Sequence, residues 1–148
     1  MKHFNNIHIS VFSYPEENYD EIKSKLISIL PFDIEKEKIR LEESTAEGFN
    51  EKQIKILEAT IEKERHTNAF FENLLSKFTK ERKEMLLRQL DSRIDEELNF
   101  FIRLDKEKLL QNEFFITDSG NCYHLRFNLA VFPRKKELAL KLAKELFQ

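Results

Sequence analysis

Three groups of side chains in this sequence have the types and spacing to do chemistry. The first is a run of carboxylates, Asp91, Asp95, Glu96 and Glu97. Clustered acids can hold Mg²⁺ and support two-metal cleavage of a phosphodiester. Asp91 and Asp95 share a face if a helix continues that far. Arg93 lies among them, however, and no matching histidine or second acidic motif accompanies them. A solvated turn is the favoured reading, and a metal-dependent nuclease ranks last. The second group is Pro133-Arg134-Lys135-Lys136, three cations at the expected start of a helix. The macrodipole favours acids there, so the cluster is locally unfavourable. Uncapped N–H groups at a helix start bind phosphate, and added lysines strengthen such a site.

The third group comes from strand alternation. If Ile7, Ile9 and Val11 face the core together with Leu125, Phe127 and Leu129, the opposite parity faces outward. That set is His8, Ser10, Phe12, Arg40, Phe101, Arg103, Phe115, His124, Arg126 and Asn128. Flat rings stack on unpaired bases and arginines contact phosphates, so this mixture suits single-stranded RNA. The competing reading is an ordinary polar sheet face, or one covered by helices or by a partner. His8 and His124 can meet across such a sheet, but two ligands alone do not make a zinc site. Cys122 reads as a small, partly buried hydrophobe rather than a nucleophile. Lys63, Arg65 and His66 alternate with Glu62 and Glu64, which favours internal ion pairing over a basic rim.

The elements that must position these residues follow from periodicity. Asn6 to Tyr14 alternates as a strand and Pro15 stops it. Asp20 to Leu30 is a helix with Ile22, Leu26, Ile29 and Leu30 as its stripe. Lys38 to Glu42 and Gln53 to Lys63 read as a hairpin around the turn-rich run Ser44 to Asn50. The phase of Gln53 to Lys63 shifts near Ile56–Leu57, which predicts a bulge. Thr67 is placed as the cap of a helix reaching Phe78, and Thr79 as the cap of a second helix ending near Ile94. Leu98 to Leu104 is a strand, with Asp105 capping the short helix after it. Glu113 to Thr117 and Cys122 to Phe132 form a second expected hairpin, joined by Asp118-Ser119-Gly120-Asn121. Arg134 to Phe147 closes the chain as a helix, with Leu138, Leu142 and Leu146 inward and Lys141 and Lys144 outward.

Composition bounds the partners. The chain has 148 residues, 41% of them hydrophobic, which favours one folded domain spanning 1–148 over a disordered chain. Phe occurs 14 times and Trp never, so the core is expected to rest on Phe, Leu and Ile. The net charge of -2 counts against a general polyanion binder. The charge is uneven, though. Between Tyr123 and Gln148 six basic residues stand against two acidic ones, which marks the C-terminal end as the place to look for a polyanion. A single cysteine and no signal-peptide or membrane-spanning pattern lead to an expected cytoplasmic location.

Several phrases stand together in order and spacing: GFNEKQIKILEATI (Gly48–Ile61), KERHTNAFFENLL (Lys63–Leu75), SRIDEE (Ser92–Glu97), FIRLDK (Phe101–Lys106) and FNLAVFPRKKE (Phe127–Glu137). With these phrases, across nearly its whole length, the chain resembles an archaeal family of small proteins described as RNA-binding proteins or predicted exosome subunits. FIRLDK is the most specific of them. The resemblance implies an α+β fold with an antiparallel sheet and helices, similar to a large-subunit ribosomal protein, and an RNA-linked role. It carries no catalytic residues with it.

The expectation is therefore a single-domain α+β protein with one largely antiparallel sheet, on which N-terminal, central and C-terminal helices pack. Its expected function is non-catalytic binding of RNA, single-stranded in preference, as an accessory to RNA processing or exosome-linked decay. RNA-processing proteins are the expected protein partners. Arg40, Phe101, Arg103, His124, Arg126, Arg134, Lys135 and Lys136 are the expected contacts, with no metal or cofactor and no membrane. The alternative is a protein–protein adaptor or homodimer using the same sheet face.

Overall fold

The computed structural model describes residues 1–47 and 53–148. Among these the elements run β1 (Phe4–Ser13), α1 (Tyr19–Ser28), β2 (Leu41–Glu47), β3 (Gln53–Ile61), α2 (Glu64–Lys77), α3 (Lys80–Arg88), α4 (Leu90–Arg93), β4 (Asn99–Asp105), α5 (Lys106–Leu110), β5 (Cys122–Leu129) and α6 (Lys136–Phe147). One five-stranded antiparallel sheet has the order β2-β3-β1-β5-β4, and helices flank it. This is the α+β architecture expected from the alternation and from the family phrases. No helix among the described residues is long and apolar enough to cross a membrane. The chain divides into two compact units, Met1–Ile7 with Ile61–Ile102 and Arg126–Gln148, and His8–Thr60 with Arg103–Leu125.

The first unit has a core of phenylalanines. Phe127 sits among Phe4, Phe70, Phe71 and Phe100, with ring centroids 5.5, 6.2, 5.9 and 6.1 Å away. Phe147 closes the cluster at 5.4 Å from Phe71 and 5.3 Å from Phe100. These tilted and edge-on pairings suit the ring quadrupoles. Helix α6 reaches this core through Ala139, Ala143 and Phe147, while the expected inward residues Leu138, Leu142 and Leu146 are only half-buried. The small alanines let the backbone come close, which turns the leucines to the flanks.

Helix α2 begins at Glu64, upstream of the expected cap at Thr67. Its buried face is His66, Thr67, Phe70, Phe71 and Leu74, so burial draws an extra turn into the helix. Thr67 is fully buried, and its hydroxyl donates to the Glu64 carbonyl at 3.2 Å. Thr79 does cap α3, accepting from the Arg82 N–H at 3.2 Å. Between α4 and β4 the Asp95 carboxylate accepts from the backbone N–H of Glu97 and of Asn99, at 3.0 and 2.9 Å. Leu98 then takes a left-handed conformation, φ 65°, which is costly for a residue with a branched side chain.

In the second unit β2 starts at Leu41, later than the expected Lys38. Residues 33–39 fold into a turn instead. The Asp33 carboxylate accepts from Glu35 and Lys36 N–H, Ile39 N–H reaches the Ile34 carbonyl, and Lys38 has φ 57°. Ser44 to Glu47 are strand, not turn; the rest of that expected turn, with Gly48, lies outside the described residues. Pairing from Leu41↔Ala59 to Glu47↔Gln53 keeps one register, so the expected bulge is absent from this pairing. Leu57 and Ala59 are buried, and Ile54 and Ile56 lie half-buried on the opposite parity. The phase shift in the sequence therefore records a strand that is apolar on both faces.

Glu113 to Thr117 is not a hairpin strand. This segment turns back onto the end of β4 through a single bridge, Leu104↔Ile116, with Asp105 N–H donating to the Phe115 carbonyl at 2.8 Å. The expected partner strand β5 also stops at Leu129, short of Phe132. Asp105 caps α5 by accepting from Lys108 N–H at 3.0 Å, and the short helix with the turn after it, where Asn112 has φ 66°, brings the 113–117 segment back to β4.

Candidate nucleic-acid interface

The second unit contributes a cavity of about 170 Å³ lined by Ser10, Phe12, Arg103, Cys122 and His124 among others. These positions belong to three adjacent strands, β1, β5 and β4, so alternation alone brings them to one face. Phe12 is 45% exposed, a large ring left on the surface. The Arg103 guanidinium is held at the wall by donating to the Asp118 carbonyl at 2.9 Å. Cys122 is buried, and burial pushes its thiol pKa up, which keeps it a neutral wall rather than a nucleophile.

The backbone at Phe12 is held by Lys106. Lys106 is 1% exposed. Its ammonium donates to the Phe12 carbonyl at 2.7 Å and to both oxygens of Glu17 at 2.9 and 3.2 Å, and lies 5.1 Å from the Tyr14 ring centre. The last residue of FIRLDK thus fixes the backbone that carries the exposed ring. Tyr123 adds a second tie, donating to the Ile22 carbonyl at 2.8 Å.

The first unit holds the basic turn. Arg134, Lys135 and Lys136 are all exposed, and Lys135 occupies the N-cap of α6 without a side-chain capping bond. Arg134, though exposed, is anchored to the protein. It donates to the carbonyls of Leu129 and Glu97 and to Asn128 Oδ1. Lys136 Nζ lies 3.5 Å from Asp91 Oδ1, both groups well exposed, a geometry worth little net energy. Asn128, expected on an outward face, belongs to an amide chain. It accepts from Asn5 at 2.9 Å and donates to Asn99 Oδ1 at 2.9 Å, and Asn99 donates to Asp95 at 3.3 Å.

Of the eight expected contacts, Arg103 and His124 meet in one cavity, and Arg134, Lys135 and Lys136 form one turn. Phe101 on β4 and Arg126 on β5 are half-buried, and Arg40 is exposed just before β2, outside the residues lining that cavity. His8 is engaged by Thr60 at 2.8 Å and lies 3.5 Å from Glu58. Among the described residues no three His, Cys, Asp or Glu side chains converge to hold a metal ion, and Asp95 is committed to its own turn.

A family model described as RNA binding matches residues 6–129. The chain belongs to this RNA-binding family. It is 29% identical over 140 residues to RNA-binding protein PAB1135 of Pyrococcus abyssi, covering 95% of this chain and 91% of that protein. The crystal structure of AF2318 from Archaeoglobus fulgidus superposes with a TM-score of 0.85 at 25% identity, over 97% of this chain and 99% of that one. Mth689, a DUF54 protein from Methanothermobacter thermautotrophicus, gives 0.81 at 24% identity, over 99% and 100% of the two chains, and shares the fold. These relatives come from archaea, as the sequence phrases implied. Within this family member, two exposed rings escaped the expected contact set, Phe12 and Phe132. Phe12 had the outward parity that marks it. Phe132 read as the end of a strand, and the signal that sets it apart is its place directly before Pro133 and the basic run.

Proposed function

We propose that this protein binds single-stranded RNA without cleaving it, as a cytoplasmic accessory to RNA processing or exosome-linked decay. The observation that carries this reading is the cavity on the sheet face of the second unit. It combines an exposed ring, a guanidinium and an imidazole, from Phe12, Arg103 and His124. Stacking supplies sequence-tolerant affinity and the cations meet the backbone. Arg40 adds a cation in the second unit; in the first unit Phe101 and Arg126 are further candidate contacts, and Lys135 and Lys136 supply a separate phosphate contact. Family membership supports the same reading.

The test is titration of a labelled single-stranded RNA across salt concentration, with double-stranded RNA and DNA as controls. Arg103→Gln and Phe12→Ala each weaken binding while leaving thermal unfolding near the parent. Lys135→Gln with Lys136→Gln lowers the slope of log affinity against log salt by about 1.4 if both lysines neutralise phosphates. An unchanged slope removes these lysines from the interface. Equal affinity for single-stranded and double-stranded RNA contradicts the stacking mechanism.

A further inference from the structure

Of the 14 phenylalanines in the sequence, Phe12 and Phe132 appear among the exposed large hydrophobic residues of the described chain. Phe132 is 93% exposed, so it gains nothing from folding. Its surroundings are nonetheless built. Arg134, two residues on, is fastened to the Leu129 and Glu97 carbonyls and to Asn128. Ala130 N–H donates to the His3 carbonyl at 2.8 Å, and Lys135 N–H to the Pro133 carbonyl at 2.9 Å. The ring is thus presented on a segment tied down on both sides. Beside it runs a groove of about 280 Å³ with Val131, Leu138 and Leu142 in its lining, and with Lys2, Lys141 and Glu145 as its charged residues.

We propose that Phe132 is a stacking platform for an unpaired nucleobase, with Lys135, Lys136 and Lys141 meeting the phosphates of the same strand. This deepens the RNA-binding reading and rests on it. Charge decides the occupant. Lys2, Lys135, Lys136 and Lys141 outnumber Asp91, Glu137 and Glu145 in this region, which complements a polyanion. A second copy docked here through a two-fold axis presents the same patch to itself, so these cations face their own kind. Arg134 acts as a positioning residue that holds the turn, not as a phosphate ligand.

The chain has no tryptophan, so a Phe132→Trp variant carries a single indole emitter. Titrating it with a short single-stranded oligoadenylate should quench that emission, saturating at the RNA concentration where fluorescence anisotropy of labelled RNA saturates. Phe132→Ala should bind about five- to hundredfold more weakly, and Phe132→Tyr should restore binding. If labelled RNA binds but the indole emission is unchanged and Phe132→Ala binds as the parent does, the platform is overturned while the RNA reading stands. If no RNA binds at low salt, both fall. Self-association lost on Phe132→Ala in sedimentation would then reassign the ring to a contact between copies.

Discussion

At the scale of single residues, Lys106 is the side chain whose chemistry and position are most tightly joined. A buried ammonium persists only where its charge is met, and Glu17 and the Phe12 carbonyl meet it. Glu17→Ala strands the ammonium and should cost about 3–5 kcal/mol in urea denaturation. Glu17→Leu with Lys106→Met should cost far less, because neither charge is then left alone. A double variant as unstable as the single one contradicts this account of the pair. Two tyrosines give a pH test. Burial, followed by the Glu43 and Asp20 carboxylates, pushes Tyr19 up to about 12, and burial raises Tyr123 well above its ordinary range. Both phenols hold their protons in the folded state at pH values where the unfolded chain has lost them. Their contribution is whole below about pH 10 and declines as pH rises through the folded values. Thermal midpoints followed upward from pH 9 should fall, and Tyr123→Phe should flatten part of that decline.

At the scale of elements, the alternation of β1, β4 and β5 and the stripe of α1 were legible because each buries one set of alternating or helically spaced residues. The exceptions have physical causes. Thr67 was misread as a cap because side-chain chemistry suggested an end where burial of His66 and Thr67 extends α2. Glu113 to Thr117 differs from the expected hairpin strand because α5 and the turn after it return the chain to β4. The Asn5–Asn128–Asn99 chain joins residues 123 and 29 positions apart and has no local signature. The candidate site divides the same way. The parity of Phe12, Arg103 and His124 was visible, but the anchoring of Arg134 to carbonyls was not. Packing gives the element-scale prediction. Phe127→Ala removes the ring that touches four others and should cost about 3–5 kcal/mol. Ala143→Leu overfills the α6 contact and should cost about 1–3 kcal/mol. Urea midpoints with unchanged m-values would show both as losses of packing.

At the scale of the whole molecule, a net charge of -2 does not describe the surface that RNA would meet. Basic residues outnumber acidic ones after Tyr123, and among the described residues Phe12 and Phe132 carry the exposed phenylalanine rings, so attraction and stacking belong to particular places. This distribution requires that affinity depend on salt and on strandedness together. The measurement that tests it most directly is the binding of one labelled RNA, single-stranded and then annealed to its complement, across salt concentration. The account predicts tighter binding of the single strand at every salt, with log affinity falling linearly as log salt rises. No binding at low salt, or a preference for the duplex, would contradict it.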